Sequence, residues 1–310
     1  MTTYRLIDLS KVPVPDIIEV PDFEEKYQAL KSMLINLDPD YAQSLSLESD
    51  PAARLLQVFA YREMYLTARI NDATRANILA SATGRDLDAL ASRYNIERLT
   101  IQPANPDANP PEPAAMEDDE ALRRRVQMAF DGLNTAGSID GYIFHALGAN
   151  GLVRDALAAS PQPTEIELTI LSNEGNGHSS AELIESVRAH FGISADGTQQ
   201  LGTSKIRPQG DRVTVQSASI ISYQVEATIY LQQGPDASVI RQQAIAAAQK
   251  YADEQHRLGA DITRSGLHRA LHQPGVDNVE LHQPDGNISV SPTQAAYCTS
   301  IDVNSEVSNG

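Results

Sequence analysis

Apolar residues recur at helical spacing through roughly the first hundred positions and alternate with polar ones further on, which predicts a helical N-terminal part followed by mixed α and β structure. The clearest helix opens at Asp50-Pro51. An Asp carboxylate there accepts a free amide of the first turn, and proline at the first helical position sacrifices no hydrogen bond. From this start Leu55, Phe59, Leu66, Ile70 and Ala73 share one face, and Gly84 offers the positive φ that ends a helix. Only Arg62-Glu63 interrupts the stripe. A buried charge needs a partner, so the pattern predicts a helix packed against other helices, from this chain or another.

Residues 1–22 alternate proline with β-branched residues and read as an extended arm. Residues 23–98 form a helical domain. Tyr27, Leu30, Met33, Leu34 and Leu37 mark a helix from Phe23 to Leu37 closed by Asp38-Pro39, and Leu87, Leu90, Ala91 and Tyr94 mark a short one capped by Asp86 and left through Asn95. Residues 99–116, with five prolines between Pro103 and Pro113, have no apolar period and read as a linker.

Residues 117–212 form a first α+β domain. Acids at 117–120 start a helix, Ser138 caps another, Thr164 to Leu171 alternates as a strand, and Leu183, Ile184, Val187 and Phe191 line a further helix. Residues 213–292 form a second α+β domain. Val213-Thr214-Val215 and the alternation Tyr223, Val225, Ala227, Ile229, Leu231 predict two strands of an antiparallel sheet, and a helix follows over 237–254. Residues 293–310 are left as a tail. The fold class is therefore α+β: an N-terminal helical arm and bundle segment, then two small α+β modules with antiparallel or mixed sheets. A repeat supports two modules, since His145-Ala146-Leu147, Gly151-Leu152 and Leu157 match Arg269-Ala270-Leu271, Gly275-Val276 and Leu281 without gaps.

Composition narrows the function. With 24 basic against 41 acidic side chains the net charge is -17, which opposes binding to nucleic acid and favours basic surfaces on partners. A single cysteine, Cys298, leaves no intrachain disulfide, and neither a leader peptide nor a membrane span is expected. No tryptophan and few phenylalanines argue against an aromatic-lined substrate pocket.

Two clusters carry the alternative, a metal-dependent hydrolase. Glu117-Asp118-Asp119-Glu120 offers oxygen ligands but lacks the spacing and glycine of a calcium loop, and helix-dipole stabilisation with Arg123 to Arg125 explains it as well. His268 and His272 share a helical face, with His282 beyond, but Arg269 stands inside the pair where a zinc protease places its glutamate. The glycines of Asn173 to Ser180 precede a helix without the lysine of a phosphate loop, and Ser179 or Ser180 is read as its cap. No catalytic residue, cofactor site or metal site is assigned.

Glu48-Ser49-Asp50-Pro51, Tyr61-Arg62-Glu63, Gly84 with Leu87-Asp88 and Leu90-Ala91, the 117–125 segment, and Thr135-Ala136-Gly137-Ser138 with Tyr142 and His145-Ala146 together resemble the baseplate J-like family. Val153-Arg154-Asp155-Ala156, Leu171-Ser172 with Gly175-Asn176-Gly177, and Arg207-Pro208 with Asp211 and Val213 are similar to it too. Gln209-Gly210 departs from the family pattern, and the residues after Pro292 do not match it. The resemblance implies a non-enzymatic baseplate wedge protein of a contractile-tailed phage or phage-tail-like bacteriocin (tailocin), assembled in the bacterial cytoplasm. It implies two copies per wedge, partnership with a second wedge protein and with sheath-initiator-like and hub or spike proteins, a ring around the central spike, and rearrangement that triggers sheath contraction. In that setting Leu55, Phe59, Leu66 and Ile70 are expected in an intermolecular helical bundle, with Arg62 and Glu63 fixing its register.

Overall fold

The computed structural model describes residues 6–12, 15, 20, 22–202, 204–232 and 237–307. It divides into two compact units, Met1–Glu97 and Arg98–Gly310. Most of the arm predicted over 1–22 lies outside the described residues.

The first unit is helical. Helix α1 spans Phe23–Leu37, as its period predicts, and starts where the Asp22 carboxylate accepts the Glu25 amide. A short α2 covers Tyr41–Ser44, and α3 runs over Pro51–Ala76 from Asp50, whose carboxylate accepts the Ala52 amide at 2.8 Å. α3 faces α1 with small residues: fully buried Ala53 and Ala60 leave room for Tyr27, with Leu45 and Leu56 beside them. Phe23, Leu30 and Leu34 close that core. α3 ends at Asn77, before Gly84, whose φ of +53° instead opens α4, Gly84–Ser92. Thr83, not Asp86, holds the N-cap position of α4, and Asn95 takes the left-handed exit at φ 57°.

The second unit begins with the proline-rich segment, which is a hairpin and not a free linker. Strands β1, Thr100–Gln102, and β2, Ala115–Met116, pair antiparallel across it. The start of the hairpin lies against Gly151, where an added Cβ would meet the Thr100 carbonyl oxygen at 2.8 Å. Helix α5, Asp119–Gln127, then α6, Ile139–Leu147, follow, each N-capped by a side chain, Asp118 and Ser138.

Strands β3, Val153–Ala159, and β4, Glu165–Ser172, pair antiparallel, and helix α7, Ala181–His190, capped by Ser180, leads to β5, Arg212–Ser217, parallel to β4. The sheet order is β3-β4-β5. Strand β6, Ser219–Leu231, starts a second sheet after the single residue Ala218. Helices α8, Ala237–Gln255, and α9, Arg264–Leu271, lead to β7, Val276–Gln283, antiparallel to β6, and β8, Gln294–Val307, lies parallel on its other side.

β5 and β6 therefore do not pair with each other, as their alternation suggested. They belong to successive sheets, and the module boundary falls at Ala218. The residues set aside as a tail are largely β8, whose Ala295, Ala296 and Val303 are buried. The repeated pattern corresponds to matching units, α6 with β3 and α9 with β7. Each supplies the antiparallel neighbour of a central strand whose other neighbour is parallel. The unit precedes its central strand in the first module and follows it in the second.

The modules are joined by specific contacts. Arg154 donates from Nε to the His256 carbonyl at 2.8 Å and from Nη2 to the Asp253 carbonyl at 2.7 Å. Asp155 accepts the Leu258 amide at 3.0 Å and pairs with Arg124 at 2.7 Å. His256 packs against Gly177, where an added Cβ would fall 2.7 Å from its Nε2, and Leu171, Ala218 and Ala295 form a small core there.

Candidate functional site

Helix α3 is amphipathic in an unusual sense, because both of its long faces are apolar. One is used within the chain: Ala53, Leu56 and Ala60 are buried against α1 and its surroundings. The other points to solvent, with Leu55 60% exposed, Phe59 58%, Leu66 49% and Ile70 55%. Val58 and Tyr65 are exposed on the same side. Residues at steps of three, four and seven lie above one another on a helix, so these six form a single stripe. Side chains of this size each contribute about 1.5–3 kcal/mol when fully buried, so a contiguous stripe left in water marks a contact surface.

The stripe predicted to pack is thus the one that the chain itself leaves open. The structure separates Arg62 from Glu63, which the sequence reading joined. Arg62 is exposed within the stripe, whereas Glu63 pairs with Lys26 of α1 at 3.5 Å. Glu63, itself half-exposed, therefore also touches α1, a contact that Arg62 does not share. The sequence reading passed over Val58, Tyr65 and Arg69, although Arg69 follows Arg62 and Leu55 at heptad spacing.

The residues weighed for hydrolysis are placed differently. Each carboxylate of 117–120 is engaged within the fold. Glu117 pairs with Arg125, Asp118 caps α5 through the Ala121 amide, Asp119 pairs with Arg98 at 2.7 Å, and Glu120 with Arg123 at 2.6 Å. His268 sits on α9, His272 just past its end, and His282 Nε2 lies 3.0 Å from the Thr228 hydroxyl oxygen. Among the described residues no group of three or more His, Cys, Asp or Glu side chains is placed to hold a metal ion. Burial pushes the Cys298 thiol above its ordinary value, the opposite of what a nucleophile requires. Ser180 caps α7 through the Leu183 amide, which accounts for the glycine loop before it. No helix among the described residues is long and apolar enough to cross a membrane.

Two further histidines, given no chemical role in the sequence, meet between α6 and the end of α7. The rings of His145 and His190 lie 6.0 Å apart beside Phe144 and Phe191. Burial lowers the pKa of both, and the charge of His190 lowers that of His145 further.

Known proteins align with most of this chain. The Baseplate J-like N-terminal domain matches residues 48–105, the Baseplate J-like central domain residues 134–217, and the Baseplate J-like protein C-terminal domain residues 223–304. Baseplate protein J of Escherichia phage P2 is 43% identical over 299 residues, 95% of this chain and 96% of that protein. The cryo-EM structure of the anti-feeding prophage (AFP) baseplate, 6-fold symmetrised, is similar at 13% identity and a TM-score of 0.39, over 62% of this chain and 43% of that one. With three domain families in order and a relative aligned almost from end to end, the chain belongs to the baseplate J-like protein family.

Proposed function

We propose that the chain, a structural baseplate protein by its family, is a wedge component of a contractile injection machine. Two copies serve each wedge. The outer face of α3 enters a helical bundle with a second wedge protein, and the modules of the second unit link neighbouring wedges into the ring around the spike, where sheath-initiator-like and hub proteins adjoin them. Rearrangement of these contacts releases sheath contraction, in a phage tail or a tailocin assembled in the bacterial cytoplasm. The observation that carries this reading is the outer stripe of α3, which leaves six large apolar side chains in water. An assembly subunit needs such a surface.

The test is to place Leu55→Arg with Leu66→Arg in a strain that produces the particle. Both residues are exposed, so the isolated chain is expected to keep its circular dichroism and Tm while failing to sediment with tail particles. Normal incorporation of the doubly substituted chain would sink the proposal.

A further inference from the structure

The wedge reading says that a helix covers the outer face of α3, and the charges on that face say what kind. Leu55, Arg62 and Arg69 follow one another at intervals of seven, with Val58, Phe59, Tyr65 and Leu66 beside them, so both arginines stand in the seam and not at its rim. Both are exposed, and neither forms an ion pair with a described residue. Arg54 adds a third exposed cation next to Leu55. The two acids of α3 are already engaged, Glu63 with Lys26 and Asp72 with Arg75. In a chain of net charge -17, this face is locally basic.

Resting on that reading, we infer that the occupant is an amphipathic helix of a different protein, carrying two acidic side chains one heptad apart within its apolar seam to meet Arg62 and Arg69. Seven residues of helix span about 10.5 Å, which sets the separation of the two carboxylates. A second copy of α3 does not fit. It would bring arginine seams together and would have to break the Asp72–Arg75 pair to supply a carboxylate. An anionic membrane does not fit either, because a helix lying on a bilayer keeps its arginines at the rim of the apolar face, and Arg62 lies between Leu55 and Leu66. Arginine in a helical seam selects register and partner through complementary charge.

The probes are two synthetic helical peptides of three heptads with leucine seams. They are identical save for two seam positions one heptad apart, glutamate in one and lysine in the other. The full-length chain is expected to bind the glutamate peptide at least about tenfold more tightly, with the advantage shrinking as salt is raised. Arg62→Glu with Arg69→Glu should reverse the preference. Equal affinity for both peptides would overturn the inference, as would a chain dimer that dissociates on Leu66→Arg and excludes the peptides, or binding to phosphatidylserine vesicles abolished by Arg62→Glu. Failure of the wedge reading is separately visible, because Leu55→Arg with Leu66→Arg would then leave particle assembly intact whatever the peptides do.

Discussion

The guanidinium of Arg125 closes on the carboxylate of Glu117 with both side chains more than nine-tenths buried. The second oxygen of Glu117 lies 3.3 Å from Arg125 Nε, its first also accepts the Leu99 amide at 3.0 Å, and its carbonyl accepts from Arg98 at 2.8 Å. One acid thus fastens both ends of the proline-rich hairpin to α5. Glu117→Gln leaves the Arg125 charge buried without its counter-ion, and about 3–5 kcal/mol of stability is expected to go in urea denaturation. Glu120→Gln, at an acid that is 86% exposed, should cost under about 1 kcal/mol. Equal costs would refute the assignment of Glu117 as the fastening.

Asp155 reaches across to the second module through the Leu258 amide, and Arg124 of its own module holds the carboxylate in place. Asp155→Asn keeps its shape but weakens both contacts, and a loss of about 1–3 kcal/mol is expected. Scanning calorimetry of the full chain should show the transition of the second unit broadening or dividing as the modules uncouple. An unchanged, single sharp transition would show that the junction does not depend on Asp155.

His145, His190 and His256 all have pKa values lowered by burial from the ordinary 6.5. Well above pH 6.5 they are neutral in both the folded and the unfolded chain and add no pH dependence. As the pH falls through that value the unfolded chain takes up protons first, so stability declines until the depressed folded-state values are reached. The Tm is expected to drop between pH 7 and 5, and His145→Gln should flatten part of that drop. An equally steep profile in the variant would remove His145 from the account.

Arg62→Ala with Glu63→Ala should separate assembly from folding. The Glu63–Lys26 contact is partly exposed and worth no more than about 1 kcal/mol, so the first unit should lose little stability. Incorporation into particles should fall sharply, as judged by co-sedimentation. A variant that assembles normally but melts early would reverse the two roles.

Truncation after Pro292 removes β8 and uncovers one side of β6. The shortened chain is expected to lose the second module to limited proteolysis while the first unit keeps its helices. Survival of that module as a folded, protease-resistant fragment would contradict the central place given to β6.

Local chemistry was readable from the sequence, and long-range pairing was not. Asp50, Ser138 and Ser180 cap helices because an acceptor before a run of free amides acts within three residues of itself. The end of α3 was placed too late because Ile78, Leu79 and Ala82 continue the apolar period past Asn77, where the backbone has already turned. Alternation identified β5 and β6 as strands, but period two says nothing about which neighbour a strand takes. β8 escaped notice because its register with β6 shifts between Tyr223 and Gln224, so that Cys298 and Ser300 oppose neighbouring residues and the alternation slips a step. The outer stripe of α3 was legible, but the contact of Glu63 with α1 was not, since Lys26 lies far from Glu63 in sequence.

Ala218 alone separates the last residue of β5 from the first of β6, and its backbone amide donates to the Ile170 carbonyl at 2.8 Å. With no loop between them, the ends of these two strands cannot part by more than one residue of chain allows. Any relative movement of the two sheets therefore has to be a rotation about Ala218 and not a separation.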